Sequence, residues 1–163
     1  MGKKLIVIAG IPASGKTFYG KYITEKYMLP FICKDYIKGE LYDVIHYDTS
    51  TRDMPQLYGV ASSMLLIHVS ECLMKVDANF AIEGNFTSKD ADKLNALITK
   101  YAYQAMTILF YGNTQILHKR FWERNESGER HPGLRYTSKD PALQSYEMFE
   151  KQVLLCREFV SVK

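Results

Sequence analysis

Lys4-Leu-Ile-Val-Ile-Ala9-Gly10-Ile-Pro-Ala13-Ser14-Gly15-Lys16-Thr17 decides the fold of this chain. The apolar run from Leu5 to Ala9 ends in a glycine, as expected of a short strand buried on both faces of a sheet. Gly10 and Gly15 then set the spacing G-x-x-x-x-G-K-T. Glycines let the backbone turn back on itself, so that successive N–H groups, those of Ala13 and Ser14 among them, face one point. Tyr19, Tyr22, Ile23 and Tyr27 recur at helical spacing and predict a helix from Lys16 to Tyr27. Its positive dipole end adds to the same point. Such a loop holds nucleotide phosphates: Lys16 reaches the β- and γ-phosphates and the Thr17 hydroxyl ligates magnesium. ATP and Mg2+ are the expected cofactors. In this composition the four fixed positions would coincide by chance with odds of roughly six in a thousand.

The chain around this loop has 163 residues, 47% of them hydrophobic and 24% charged. That length predicts a single domain over 1–163, and that composition can fill a core. It excludes disordered and collagen-like chains. No run of uninterrupted apolar residues approaches the roughly 18 that a membrane helix needs. The start is too short for a signal peptide, and Ile6 stands where a myristoylation signal wants Ser or Thr. A cytoplasmic protein without a membrane partner, monomer or homodimer, is expected. Cys33, Cys72 and Cys156 lie far apart and suit reduced core residues rather than a zinc site or a disulfide framework. The net charge of +3 argues against a nucleic-acid partner. Its distribution is more telling, because Arg120, Arg124, Arg130 and Arg135 are four of only 6 arginines.

Strand-like and helix-like runs alternate along the chain. Pro30–Cys33, Asn79–Ile82 and Met106–Tyr111 read as further strands. Gln56–Val76 reads as a long helix whose inner side is Leu57, Val60, Ala61, Met64, Leu65, His68, Cys72 and Val76. Thr87-Ser-Lys-Asp90 is a capping box opening another helix, and Asn113 caps one running to about Glu126. Ser127–Lys139 is a polar loop. Asp140-Pro141 opens a last helix to about Phe159, and a fifth strand would begin near Val160. This alternation implies βαβ units and a parallel sheet.

With these elements in place, the chain resembles the small P-loop kinases: the shikimate, gluconate and adenylate kinase group, and most of all the chloramphenicol phosphotransferase and zeta-toxin-like kinases. Three features besides the loop carry the resemblance. Lys34-Asp35-Tyr36-Ile37-Lys38 resembles the D-x-x-R/K element that follows the second strand in those kinases. Phe80-Ala-Ile-Glu83-Gly-Asn85 is an apolar strand ending in an acid where a Walker-B carboxylate would stand. Arg120 to Gly133 has the composition of an arginine-rich lid. The resemblance implies a three-layer α/β/α P-loop fold with a parallel sheet of order 2-3-1-4-5 and a small lid at about 124–140.

The same resemblance implies roles. Asp35 takes the proton of the acceptor hydroxyl as phosphorus is attacked. Lys38, one helical turn on if the stretch is helical, holds an anionic group of the substrate. Glu83 holds magnesium with Thr17 or orients the acceptor beside Asn85. Arg124 and Arg130 meet the charge of the phosphoryl in transit, and Arg120 contacts the nucleotide. Arg52, in the polar loop Tyr47–Pro55, is a candidate substrate contact, and Tyr36, Tyr42 and Tyr47 lie where an acceptor pocket could form. His131 suits packing or hydrogen bonding in the lid, and His68 a satisfied core position. The segment Arg124–Tyr136, polar and glycine-containing, offers little burial of its own.

The reading that unites these residues is an ATP-dependent kinase acting on a small-molecule hydroxyl or phosphate acceptor. Two others stay open: a nucleotide-binding switch or ATPase module, and a polynucleotide 5′-hydroxyl kinase. A guanine-reading switch would carry N-K-x-D, which this chain lacks. A polynucleotide kinase would need a basic channel with stacking aromatics.

Overall fold

The computed structural model describes residues 2–51 and 53–135. Strands β1 (Lys4–Gly10), β2 (Phe31–Cys33), β3 (Phe80–Gly84) and β4 (Gln104–Phe110) form one sheet of order β2-β3-β1-β4. Every pairing is parallel. The phosphate-loop strand β1 is therefore central, as expected. The expected fifth strand, the last helix from Asp140, Cys156, Arg52 and the part of the lid beyond 135 lie outside the described residues.

The helices are α1 (Lys16–Tyr27), α2 (Lys34–Ile45), α3 (Asp53–Lys75), α4 (Ser88–Tyr101) and α5 (Thr114–Glu126), with a short 3-10 turn at Pro132–Leu134. Leu5, Val7 and Ala9 of β1 face a core shared with Leu66 and Met74 of α3, Phe80 and Ile82 of β3, and Leu94 of α4. Ile8 lies toward α1, where Gly20 lets the helix approach: a Cβ there would stand 2.6 Å from the Phe31 ring. Helices thus cover both faces. Thr87 accepts from the Asp90 N–H while Asp90 accepts from the Thr87 N–H, so the capping box of α4 is complete. Asn113 accepts from the N–H groups of Gln115 and Ile116 to start α5.

The orientation of α3 corrects the sequence reading. The helix buries Pro55, Ser62, Ser63, Leu66, Ser70 and Met74 and turns Leu57, Val60, Met64 and Leu65 outward, and Val76, just past its end, is exposed as well. Ser62 is fully buried while Met64 is 58% exposed. The reason is local. The Ser62 and Ser70 hydroxyls donate back to the carbonyls of Tyr58 and Leu66, at 2.6 and 2.7 Å, which satisfies them inside the fold. Small side chains also let the helix sit close to its neighbours. His68 and Cys72, expected inside, lie exposed on the outer side, whereas Cys33 is buried. By length and composition α3 could cross a membrane. Here it packs against α2, α4 and β3.

Candidate functional site

The carboxyl ends of the parallel strands converge on one cavity of about 210 Å³. The loop after β1 forms its floor. Gly10 has φ 142, and a Cβ there would fall 2.0 Å from the Phe110 carbonyl oxygen of β4, so only glycine fits. Gly15 is the N-cap of α1 with φ 91, and Ala13 also takes a left-handed φ of 61. Among the described residues no side chain caps α1, in contrast to α4 and α5, and such a helix start suits an anion. The Lys16 ammonium, 7% exposed, donates to the Ile11 carbonyl at 2.8 Å. The Ser14 hydroxyl donates to the same oxygen at 2.7 Å.

Thr17, at the start of α1, donates its hydroxyl to Glu83 Oε2 at 3.0 Å. Glu83 sits near the end of β3, in register with Ile8 of β1 and Cys33 of β2. The Cys33 thiol donates to the same oxygen at 2.8 Å. Burial pushes the Glu83 carboxyl upward, opposed first by the charge of Lys16. Burial and the Glu83 charge push the Cys33 thiol up, so it stays protonated as a donor. The pair of hard oxygens from Thr17 and Glu83 fits magnesium, which keeps most of its shell as water and phosphate. Among the described residues no cluster of three His, Cys, Asp or Glu side chains offers a closed metal cage.

Helix α2 starts at the same rim, also without a side-chain cap. Asp35 and Lys38 line the cavity, as do Glu83 and Asn85. Lys38 is only 4% exposed, and burial pushes its ammonium down to about 8, with Asp35 opposing and Arg130 and Lys34 adding to the fall. Lys34, a lining residue that the sequence reading passed over, is lowered by burial too. The Asn85 carbonyl oxygen is buried and has no hydrogen-bond partner among the described residues. Arg124 and Arg130 complete the wall. The Arg130 guanidinium rests 4.8 Å from the centre of the Phe121 ring. Arg120 lies next door, in a cavity shared with Ala13, Glu123 and Arg124.

Several expectations shift. Tyr36, Tyr42 and Tyr47 do not line the cavity. Tyr36 is exposed and meets Phe31 edge-on. The segment expected to form a lid finds more burial than its composition suggested, because Gly133 is buried against Tyr42 of α2. Arg135, also unforeseen as a site element, braces the segment by donating to the carbonyls of Arg130 and Gly128, each at 2.7 Å. His131 bonds Asp43 and accepts from the Gly133 N–H. The contact of Gly133 with Tyr42, far away in the chain, has no local sequence signal.

No protein-family model matches the sequence, and no curated protein matches it. Solved structures do. A candidate kinase from Chloroflexus aurantiacus J-10-fl is similar at 25% identity and TM-score 0.80, over 91% of this chain and 78% of that one. A chain of the Pnkp1/Rnl/Hen1 RNA repair complex is similar at 18% identity and TM-score 0.66, over 96% of this chain. This chain spans 46% of the length of that one. The parallel sheet with the phosphate loop on its central strand agrees with these likenesses: the chain has the fold of the P-loop kinases.

Proposed function

We propose that the protein is an ATP-dependent phosphotransferase that moves the γ-phosphoryl of ATP to a hydroxyl or phosphate group of a small-molecule acceptor. One observation carries this reading. A single cavity gathers Lys16 and Thr17 from α1, Asp35 and Lys38 from α2, Glu83 from β3, and Arg124 and Arg130 from the last described segments. A passive nucleotide binder has no use for a carboxylate and two arginines around its phosphate cradle.

In this mechanism the N–H groups of the loop and of the first turn of α1 hold the phosphates. Lys16 leaves the Ile11 carbonyl and meets the β- and γ-phosphates. Thr17 and Glu83 would hold magnesium, which when bound neutralises phosphate charge. Asp35 accepts the proton of the acceptor hydroxyl as its oxygen bonds to the γ-phosphorus. The bond from that phosphorus to the bridging oxygen breaks and ADP leaves. Arg124 and Arg130 offset the charge on the phosphoryl oxygens in transit. The unpartnered Asn85 oxygen is an acceptor for a substrate hydroxyl.

The test is transfer of label from γ-labelled ATP across a panel of polyols, sugars, nucleoside monophosphates and 5′-hydroxyl oligonucleotides. Label on a small acceptor is the expected result. Label released only to water, unchanged by every acceptor, supports the ATPase or switch reading. Label on oligonucleotides alone supports the polynucleotide kinase reading.

A further inference from the structure

The lid segment is fastened to α2 by a cluster that lies outside the phosphate cavity. Beyond α2 the chain reverses at His46, whose φ is 49, and delivers Tyr47 into the interior at 5% exposure. The Tyr47 ring stacks on Tyr58 of α3 at 4.2 Å and 7°. It meets Tyr42 of α2 edge-on at 5.1 Å. Its hydroxyl donates to the Gly133 carbonyl at 2.7 Å, across 86 residues. The N–H of Gly133 is taken by His131 Nδ1 at 3.2 Å. Because that nitrogen accepts, Nε2 carries the ring proton of the neutral imidazole and faces Asp43 at 3.1 Å. Both backbone groups of Gly133 are therefore held.

The same helix carries the chemistry. Asp35, Lys38 and Tyr42 follow one another at spacings of three and four along α2, so they share one side of it. Asp35 and Lys38 line the cavity, and Tyr42 receives Gly133 so closely that an added Cβ would stand 2.4 Å from the Tyr42 Cβ. Arg130, three residues before Gly133, reaches back into the cavity. Its carbonyl is fixed by Arg135.

We propose that Tyr47 is a positioning residue, which through its bond to Gly133 holds Arg130 over the phosphate cavity at a fixed place relative to Asp35. This inference rests on the phosphotransfer reading above. Tyr47 touches no reacting atom. It removes the freedom of a short polar segment that would otherwise have to be ordered each time the phosphoryl is transferred. The two turnover groups, base and arginine, are then placed by one helix.

The experiment uses the full chain, magnesium and ATP, with water as acceptor, so that no acceptor need be known. Tyr47→Phe keeps the stacked ring and removes only the hydroxyl. Loss of one hydrogen bond predicts a fall in kcat for ADP release of about fivefold. KM for ATP and the Kd of a non-hydrolysable ATP analogue should stay unchanged. On an Arg130→Ala background, Tyr47→Phe should cost nothing more, because the arginine through which it acts is gone. Amide exchange across 130–135 should quicken in Tyr47→Phe but not in Tyr101→Phe, whose hydroxyl bonds Glu71 far from this cluster. Asp43→Ala, at an exposed position beside His131, should change kcat and exchange in the same direction, and serves if Tyr47→Phe does not fold. Wild-type kcat together with wild-type exchange in these variants would overturn the proposal, as would a full additional loss on the Arg130→Ala background. A wild-type chain that binds no ATP would instead overturn the function on which it rests.

Discussion

The hydroxyl of Thr17 donates to the carboxylate of Glu83 over 3.0 Å, joining the first turn of α1 to the end of β3. Two segments 66 residues apart thus present their oxygens side by side beneath the phosphate loop. Neither oxygen is on a mobile support. Thr17 is fixed by the helix, and Glu83 by pairing of β3 with strands on both sides. Cys33 holds the carboxylate from the other neighbour.

Glu83→Gln should therefore raise the magnesium concentration needed for half-maximal ATP binding by about tenfold or more, the usual cost of disturbing a metal site. The neutral amide keeps the Thr17 contact, so folding should survive. Burial raises the Glu83 carboxyl above its ordinary range, so the charged form is lost at a higher pH than for an exposed glutamate. Magnesium dependence should weaken correspondingly early as pH falls. Titration of ATP binding with magnesium at several pH values checks both.

Asp35→Asn should leave ATP affinity nearly intact and lower phosphotransfer by roughly a hundredfold or more, as expected for loss of a general base. The comparison is of kcat on the identified acceptor with calorimetric Kd for ATP. An equal fall in both would assign Asp35 to binding.

Lys38 gives a pH signature. With its ammonium pushed down to about 8, half of these amines are neutral at that pH. A bound anion favours the charged form, so binding should draw in protons. Calorimetry of magnesium–ATP at pH 8.5, in buffers of different ionisation enthalpy, should show net proton uptake that Lys38→Met removes. The sign for stability follows from the same value. The ordinary value is 10.5, so between about 8 and 10.5 the unfolded chain holds the extra proton. Stability contributed by this group should rise with pH across that window. Urea midpoints of wild type and Lys38→Met measure it.

Gly133→Ala would place a methyl group 2.4 Å from the Tyr42 Cβ. Relief of that overlap must either push the segment around Gly133 off α2 or strain the packing, at about 1–3 kcal/mol. Thermal unfolding reports the strain, and amide exchange over 130–135 reports the release. A variant unchanged in both would contradict the close docking.

What could be read from the sequence was what is decided locally. The phosphate loop, the limits of α1, the capping box at Thr87 and the Asn113 cap all depend on residues within a turn of one another, and the structure has each. The order of the four described strands is the one that the resemblance, added to the alternation of strands and helices, implied. The face of α3 was not legible. Its serines look polar in sequence, and only the bonds to their own helix carbonyls make them fit for burial. Nor were Lys34 and Arg135 marked as parts of the site or its support, and Tyr47, read as lying where an acceptor pocket could form, instead bonds Gly133. Their roles arise where α2, α3 and the lid meet, through contacts such as Tyr47 to Gly133 that no spacing encodes.

The central claim is that the loop from Gly10 to Thr17 holds the phosphates of ATP. Calorimetric titration of magnesium–ATP into wild type and Lys16→Ala tests it most directly, with circular dichroism to verify the fold. The Lys16 ammonium bonds a carbonyl of the loop itself, so its removal should spare the core. The expected result is a folded variant whose ATP binding is abolished or greatly weakened. A folded Lys16→Ala protein that binds magnesium–ATP as tightly as the wild type would contradict it.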